Sequence, residues 1–531
     1  MRDAYLTLKM PTARSQALRA QVAWWAMYLG LIGVSLGSGV LMLRGLSSPV
    51  LLAWLIYLTG IVAIAYSPRY GVYLIMGLSM FGDTLLVTWY PFTKNFSSRE
   101  SLLYASDALI ISPLELYIGI TLLVWLGRMA VERRTRVYFG PLFWAAALFL
   151  SFVTYGLVYG LSRGGNLVIA LWESRSIYYL FALLVLTSNL IETRAQINTL
   201  FWIISIALFF KGIAGVNYVA TELQWDMGAV ERIAEHSMSI HFNLFFILMI
   251  TAWLYHDSLP RRLFMPLMSL PIWYSFFANH RRAGFLTLGI AALVIFLLLY
   301  REYRRLFWAV TPTGTVGFFA YLVAFWNNEG AIGIIARAVR SVVGQPTVRD
   351  AASNIYRDIE NLNIMFTISR VTLFGLGFGQ KFYIIYPLPD ISTFEWWEYI
   401  THNSIMWIWM KIGMGGFFAL LLLLGMTMIL GGRLIWTMPR GPMRAYALTA
   451  TLYVLMHFVY AYVDMSWDTR SMLLVGTMMG LLNSLPLILA RPLPVPVQRW
   501  PWQSVPEADP GPATPPLAPR RPNQLAAPGH F

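Results

Sequence analysis

The chain has 531 residues, of which 58% are hydrophobic and only 12% are charged, and its formal net charge is +14. With a mean hydropathy of +0.59, this composition excludes an ordinary soluble globular protein and indicates an integral membrane protein. The chain contains no cysteine, which excludes disulfides, thiol catalysis and thiolate metal sites.

The apolar residues form about fourteen segments long enough to cross a bilayer, since ~20 residues at a rise of ~1.5 Å span ~30 Å. They begin near Ala23, Pro49, Gly71, Ala108, Phe139, Ser176, Gln196, Ser239, Phe264, Gly284, Leu306, His402, Ala445 and Ser471. This pattern predicts an all-α polytopic membrane protein with about 12–14 transmembrane helices. We expect one transmembrane domain over residues 22–490, preceded by a polar cytoplasmic N-terminal segment, residues 1–21.

The positions of arginine and lysine predict the orientation of these helices. If the N-terminus is cytoplasmic, the basic clusters at residues 128–136, 261–262, 301–305 and 433–444 and in the C-terminal tail all lie inside. The opposite orientation would move every one of these clusters across the membrane. We therefore expect both termini in the cytoplasm. The positive net charge follows from this topology, so membrane lipids but no nucleic acid are expected as partners.

One predicted connection, residues 327–401, is a large loop on the outer side. It contains an amphipathic stretch over Ile332–Val343, a polar helix-like run over Asp350–Ile368 and the glycine-rich sequence Gly375–Gly379. A long insertion on one face is typical of a functional loop or lid, although it can also be a solvated decoration. The glycine-rich sequence lacks the context of a nucleotide-binding loop, so we expect a flexible turn. Residues 491–531 are rich in proline and alanine and predict a disordered cytoplasmic tail.

Residues 172–175 (WESR) lie just before a predicted helix that runs inward, so Arg175 is expected at the outer boundary of the membrane. There it would add a third cation to the arginine pair described next, if the fold brings them together. An ion pair within a helix or at the surface explains Arg175 equally well. Asp83 and Glu115, within predicted helices, are candidates for buried structural carboxylates.

Two adjacent arginines, Arg281 and Arg282, follow Asn279 and His280 at the outer end of another predicted helix. Guanidinium groups next to an apolar helix are costly, and arginine is suited to bidentate binding of phosphate oxygens. Arg282 and Leu286 are four residues apart and share one helix face. The pattern favours a phosphate-binding site, with snorkelling toward lipid headgroups as the alternative.

His402 is predicted at the outer end of a helix and is followed by Asn403, Gly413 and Gly416. A turn of ~100° per residue brings Gly413 to within ~20° of His402 and puts Gly416 on the same side. We therefore expect an imidazole above a groove of small residues into which another helix packs. A neutral imidazole near pH 7 can accept a proton from a hydroxyl group. The alternative is a structural histidine that is hydrogen-bonded at the interface.

Other polar residues have less specific interpretations. Asp464, Asp468 and Arg470 mark another outer helix end, where they either line the same cavity or cap two helices. His457 is expected to be buried and structural. No DxD sequence and no cluster of histidine and aspartate indicates a bound metal, so we expect neither a metal nor a cofactor.

These motifs resemble those of the O-antigen ligase and Wzy-type O-antigen polymerase superfamily, whose members are polytopic proteins of bacterial inner membranes with a large periplasmic loop. The ligase pattern H-[NSQ]-x9-G-x-x-G is met at every fixed position, and so is a second family signature, R-x3-L. The matching residues are His402, Asn403, Gly413, Gly416, Arg282 and Leu286. The layout is similar over most of residues 50–490, and the chain departs from the family in an extra pair of predicted helices and in its proline-rich tail.

The resemblance implies a GT-C-like, metal-independent glycosyltransferase with its site on the periplasmic side of the inner membrane. Its donor would be a glycan on undecaprenyl diphosphate, and its acceptor a glycolipid or another lipid-linked glycan. Arginines would bind the diphosphate leaving group, here Arg281, Arg282 and Arg175, while His402 would activate or position the acceptor hydroxyl. His402 and Arg282 would be the catalytic residues. Helix packing around them would depend on Asn403, Gly413, Gly416 and Leu286.

Three alternatives remain at this point. The shared motifs bind the donor and so do not decide between a ligase and a Wzy-type polymerase, although the close fit to the ligase pattern favours the former. A transporter or flippase would carry polar residues along the membrane midplane and discontinuous helices, whereas the distinctive polar residues here gather at the outer boundary. A non-catalytic scaffold for envelope assembly would make His402 and Arg282 dispensable.

Overall fold

The computed structural model describes Gly33 and residues 49–82, 86, 92–99, 104–107, 109–131, 137–226, 232–328, 330–344, 348–388 and 396–490. In these residues the chain forms helices and connecting segments but no strand. The predicted segment near Ala23, the N-terminal segment 1–21, Asp83 and the tail 491–531 lie outside the described residues.

Fifteen α-helices make up the described part of the chain. They are α1 (Pro49–Tyr66), α2 (Arg69–Phe81), α3 (Pro113–Val131), α4 (Gly140–Ser162), α5 (Leu167–Leu190), α6 (Arg194–Thr221), α7 (Met238–Leu254), α8 (Leu259–Ala278), α9 (Arg282–Glu302), α10 (Arg304–Phe325), α11 (Ile334–Val342), α12 (Val348–Val371), α13 (Ser404–Thr437), α14 (Pro442–Val463) and α15 (Thr469–Ala490). Thirteen of them, α1–α10 and α13–α15, match predicted apolar segments. Of the described helices, nine are long and apolar enough to cross a membrane: α3–α6, α9, α10 and α13–α15. The predicted all-α, multi-pass membrane fold is confirmed.

The centre of the bundle is formed by α14 and α15, whose apolar spans are 78% and 83% buried. Glycines let α15 approach α5 closely, because a Cβ on Gly476 would lie 2.2 Å from the carbonyl oxygen of Leu180. Small residues at such contacts are typical of helix packing in membranes, where apolar burial alone favours no particular partner. In contrast, α10 is only 6% buried and packs mainly against α9 and α11.

Both helical stretches predicted in the insertion 327–401 are present, as α11 and α12, and α11 is preceded by a short 3-10 turn, Ala331–Gly333. The contacts of the insertion identify one end of the bundle. At this end α9 begins, α13 begins and α14 ends. Asp464, which follows α14, joins them: its carbonyl oxygen lies 3.4 Å from the Oγ of Ser404 at the start of α13, and its carboxylate lies 4.0 Å from Arg281, which precedes α9. We call this the α12 end of the bundle.

The start of α5 differs from the prediction. The helix begins at Leu167 instead of near Ser176, because the side chain of Asn166 caps it by accepting a hydrogen bond from the N–H of Ile169. Residues 172–175 therefore lie inside α5. Their charged side chains are compatible with an apolar helix because each finds a partner, as described below.

The helix α13 is interrupted at Gly413, which has φ 73° and ψ −179°. The turn that follows α12 is inserted into this break. Its backbone N–H groups at Leu376 and Gly377 donate to the carbonyl oxygens of Met410 (2.7 Å) and Lys411 (2.9 Å). The turn thus satisfies acceptors that the interruption leaves without helical partners. The predicted stripe of His402 and Gly413 on one continuous helix is wrong for this reason.

The glycine-rich sequence Gly375–Gly379 is buried, so the expected flexible turn is instead a packed connector. The N–H of Phe378 donates to the carbonyl oxygen of Gly156 in α4 (3.0 Å). At Gly377, φ is 89° and a Cβ would lie 2.3 Å from the Cα of Gly160. Only glycine fits so close to a neighbouring helix with this backbone conformation.

Gly416 is buried, and the atoms nearest to a Cβ added there belong to α13 itself. A Cβ on Gly416 would meet the side chain of Ile412 at 2.3 Å, within the same helix. The close approach of α4 to α13 occurs at Gly415, where a Cβ would lie 2.6 Å from Phe152, and at Gly156, where it would lie 2.5 Å from Ile412.

Candidate functional site

His402 lies just before α13, and the side chain of Asn403 caps this helix by accepting a hydrogen bond from the N–H of Met406 (3.1 Å). The backbone N–H of His402 donates to Oε2 of Glu360 in α12 (2.9 Å). Its Nδ1 lies 3.2 Å from both carboxylate oxygens of Glu360. The imidazole is 23% exposed, whereas the side chain of Glu360 is only 2% exposed. The histidine is therefore accessible from outside the protein, and its carboxylate partner is not.

Tyr356, one turn before Glu360 on α12, packs against the imidazole of His402. The two ring centroids are 5.4 Å apart and the rings meet at 75°. The Tyr356 hydroxyl is buried and has no hydrogen-bond partner among the described residues. Burial, reinforced by the charge of Glu360, raises the pKa of Tyr356, so its hydroxyl remains a hydrogen-bond donor at neutral pH.

Arg282 is the first residue of α9 and is also in contact with α12. Its Nη2 donates to Oδ1 of Asn354 at 3.4 Å. Leu286, one helical turn later, is 40% exposed. At ~100° per residue, the side chains of Asn354, Tyr356 and Glu360 leave α12 within an arc of ~160°. One side of this helix therefore contacts both Arg282 and His402.

Asp464, which follows α14, is the buried carboxylate of the same end. Arg281 lies 4.0 Å from it, and Nδ1 of His236 lies 3.4 Å from its Oδ1. Nη2 of Arg281 donates to Nε2 of His236 at 3.1 Å. Burial opposes ionisation of Asp464, but the contact with His236 and the positive charges of Arg281 and Arg357 lower the pKa of this carboxyl well below its usual range.

The segment 464–468 lies against the start of α13. The Nε1–H of Trp467 donates to the carbonyl oxygen of Ser404 (2.8 Å), and the N–H of Ser466 donates to its hydroxyl (3.2 Å). Asp468 caps α15 by accepting hydrogen bonds from the N–H groups of Arg470 (3.0 Å) and Ser471 (3.1 Å). Asp464 therefore belongs to the cluster around His402, whereas Asp468 has a capping role.

Arg175 lies in a separate set of contacts. Its Nη1 donates to Oδ1 of Asn95 (2.9 Å) and lies 3.7 Å from Glu115, and its guanidinium lies 4.1 Å from the centroid of the Trp172 ring. Among the described residues it has no contact with His402 or with the arginine pair. The expected third cation of the phosphate site is thus an arginine with a carboxylate, an amide and an aromatic partner of its own.

A buried ion pair between α5 and α13 was not anticipated. Nζ of Lys411 lies 2.8 Å from Oε1 of Glu173, and both side chains are fully buried. Lys411 also donates to the carbonyl oxygen of Gln380 (2.7 Å), and Glu173 accepts from the N–H of Gly379. The pair therefore fixes the connector after α12 to both helices. A lysine within the apolar run of α13 was the available sequence signal.

Four further residues of the cluster carried no local signal. Glu360, Asn354 and Tyr356 belong to a polar helix with many similar side chains, and His236 lies in a connection between helices. Their partners are far away in sequence: Glu360 is 42 residues from His402, and Asn354 is 72 residues from Arg282. Only the folded insertion brings them together.

At the α12 end the described residues thus combine a partly exposed imidazole on a buried carboxylate, a buried phenol and two arginines at the start of α9. Such an arrangement can accept a proton at His402 and bind an anion at the start of α9. No family model matches the chain, and no curated protein matches it in sequence.

Proposed function

We propose that the protein is a glycosyltransferase similar to the O-antigen ligases, which transfers a glycan from undecaprenyl diphosphate to an acceptor sugar. The observation that supports this proposal is the position of α12, which contacts His402 through Glu360 and Arg282 through Asn354. This transfer needs a proton acceptor and a phosphate-binding group at one site, and contact with the same side of α12 supports such a site.

The proposed reaction forms one bond and breaks one. The acceptor hydroxyl attacks the anomeric carbon of the donor, and the bond from this carbon to the diphosphate oxygen breaks. The hydroxyl proton passes to His402, and undecaprenyl diphosphate leaves with the electron pair. Arg282 stabilises the negative charge that develops on the diphosphate, together with Arg281 and the N-terminus of α9. Arg175 contacts Glu115 and Asn95, and a part for it in binding the diphosphate stays a prediction.

In this proposal the protein belongs to a bacterial inner membrane, with both termini in the cytoplasm and the α12 end in the periplasm. The insertion 327–401 then covers the site and contributes to binding the acceptor. The acceptor is a glycolipid in a ligase, or a second lipid-linked glycan in a Wzy-type polymerase. The fit to the ligase pattern favours the ligase.

The test uses a deletion strain complemented with wild type, His402→Asn or Arg282→Ala at matched membrane levels. We expect both variants to lose the surface glycan. His402→Asn removes the general base, which typically costs ~10²–10⁴-fold in rate, and Arg282→Ala removes a charge that stabilises the leaving diphosphate. Two variants are matched controls: His256→Asn at an exposed histidine, and Arg370→Ala at an exposed arginine in the last turn of α12. Both are expected to restore the normal glycan.

Analysis of the undecaprenyl-linked pool separates the possible outcomes. Long lipid-linked chains that accumulate without reaching the surface acceptor identify a ligase, whereas single repeat units identify a polymerase. If His402→Asn and Arg282→Ala both restore the wild-type profile, the transferase proposal is wrong, and a transporter or a scaffold takes its place.

A further inference from the structure

We propose that Glu360 is a positioning residue that holds a proton on Nδ1 of His402 and so makes Nε2 the nitrogen that accepts the acceptor's proton. This inference rests on the proposed function, because it assigns a partner to the base of the transfer reaction. It adds a residue that lies outside both sequence motifs.

The directions of the hydrogen bonds decide which ring nitrogen of His402 carries the proton. An ionised carboxylate can only accept hydrogen bonds. Glu360 accepts one from the backbone N–H of His402 at 2.9 Å, and its two oxygens both lie 3.2 Å from Nδ1. Nδ1 must therefore carry the hydrogen. In a neutral imidazole the other nitrogen, Nε2, then has the free lone pair.

The surroundings of Glu360 and His402 hold the imidazole in place. Glu360 is 1% exposed, so water does not compete for its oxygens, and it is fixed within α12. The ring of Tyr356 meets the imidazole at 75° from one turn earlier on the same helix. The backbone bond, the side-chain contact and the ring packing together leave His402 one orientation. Among the described residues no hydrogen bond engages Nε2, and the imidazole is 23% exposed.

The negative charge of Glu360 also acts on His402 once the imidazole has taken up a proton. When Nε2 takes the hydroxyl proton, the imidazolium lies 3.2 Å from a buried carboxylate. The attraction between the two charges favours this state and therefore the proton transfer. A glutamine at position 360 would keep the size of the side chain but not the charge. Its amide can also turn its NH₂ toward Nδ1 and move the ring proton to Nε2.

The experiment measures transfer by purified variants in nanodiscs, with the undecaprenyl-linked glycan extracted from the deletion strain as donor and outer-membrane glycolipid from the same strain as acceptor. We expect Glu360→Gln to lower the maximal rate ~10- to 100-fold, with less than ~3-fold change in the donor concentration for half-maximal rate. Glu360→Asp, which keeps the charge, is expected to recover part of the rate. The matched control is Asp358→Asn, the same chemical change at an exposed position of α12, and it is expected to behave like wild type.

A second measurement does not depend on activity. ¹⁵N NMR of histidine-labelled protein, with His402→Asn used to assign the signal, reports which ring nitrogen carries the proton. We expect Nδ1–H in the wild type and in Glu360→Asp, and a changed tautomer signal in Glu360→Gln. The inference is overturned if wild-type His402 carries its proton on Nε2, or if Glu360→Gln transfers glycan as fast as Asp358→Asn. The proposed function fails separately, if His402→Asn itself retains transfer.

Discussion

Asp464 is the residue of the α12 end on which the charges of two arginines act. Arg281 and Arg357 are both attracted to its carboxylate, which is 1% exposed, and His236 is in contact with it. Because an arginine can only donate hydrogen bonds, the contact from Arg281 requires a lone pair on Nε2 of His236 and therefore a neutral imidazole. Arg281 of the proposed phosphate site is thus held by a neutral histidine and an ionised aspartate, whereas Arg282 contacts Asn354.

This arrangement predicts that acid destabilises the α12 end. Burial lowers the pKa of His236, and the positive charges of Arg281 and Arg232 add to this, so that the contact with Asp464 does not compensate. An unfolded histidine takes up its proton near pH ~6.5, whereas folded His236 does so only at lower pH. Between these two pH values the unfolded state binds more protons than the folded state. As the pH falls through this range, the free energy of unfolding therefore falls by up to ~1.4 kcal/mol per pH unit.

Melting temperatures measured in detergent check this prediction. The pH is varied from roughly 7.5 to roughly 5, on either side of the ordinary histidine pKa of ~6.5. The wild type is expected to lose stability toward pH 5, and His236→Asn, which cannot take up the proton, to lose less. His256→Asn changes an exposed histidine, and its melting temperature is expected to fall with pH as steeply as that of the wild type. An unchanged slope in His236→Asn would show that another group carries the effect.

At the residue scale, the sequence predicts the groups that are unusual for their surroundings. His402, Arg281 and Arg282 adjoin apolar segments, where an unneeded charge is costly, and the structure gathers them at one end. Glu360 and Asn354 were not predicted, because a carboxylate or amide in a polar helix is unremarkable until its partner is known. Arg175 contacts Asn95, Glu115 and Trp172 and neither His402 nor the arginine pair, so its assignment to the phosphate site stays a prediction.

At the scale of single elements, the break in α13 shows why helical periodicity fails where a helix is not continuous. Gly413 lies below His402 only if the helix turns by ~100° per residue without interruption. Gly413 has φ 73° and ψ −179°, a region open to glycine almost alone, and the turn after α12 occupies the gap. The same glycine is therefore required by backbone conformation and by a neighbouring turn, and not by packing of two helices.

Gly413→Ala is expected to destabilise the protein by about 3 kcal/mol, the upper end of the cost of a strained backbone conformation. The added Cβ would also lie 2.2 Å from the carbonyl oxygen of Leu373, which is backbone and cannot turn aside. Gly425→Ala in the same helix is the control, since a Cβ there meets nothing within 4 Å. That change should be neutral or stabilise by up to ~1 kcal/mol, as alanine favours helix.

Thermal unfolding and size-exclusion profiles of both glycine variants in detergent measure the difference. A lower melting temperature for Gly413→Ala alone supports the inserted turn as a structural requirement of α13. Equal melting temperatures for the two variants would mean that α13 runs through Gly413 as a regular helix, and that the turn after α12 lies elsewhere.

At the scale of the whole molecule, thirteen predicted apolar segments correspond to described helices, nine of which are long and apolar enough to cross a membrane. Apolar length did not predict which of them lie inside the bundle. Both α10 and α14 read as apolar spans, yet α10 is 6% buried and α14 is 78% buried. In a bilayer an apolar side chain is about equally stable in contact with lipid or with protein. The hydropathy of a helix therefore does not indicate whether it is buried inside the bundle. Small residues and polar contacts make that distinction, and they depend on the partner helix.

The proposed topology places the two ends of the bundle on opposite sides of the membrane, with the α12 end in the periplasm. The chain has no cysteine, so a single introduced cysteine gives a label without background. Asp358 in α12 is exposed at one end, and Ser258, between α7 and α8, is exposed at the other. If the α12 end is periplasmic, a membrane-impermeant maleimide added to cells with a permeabilised outer membrane labels Asp358→Cys. It should label Ser258→Cys only after the inner membrane is opened. The reverse pattern would place the arginines, His402 and Glu360 in the cytoplasm, where a lipid-linked donor presented on the outer face cannot reach them, and the transfer reaction proposed here would be excluded on topology alone.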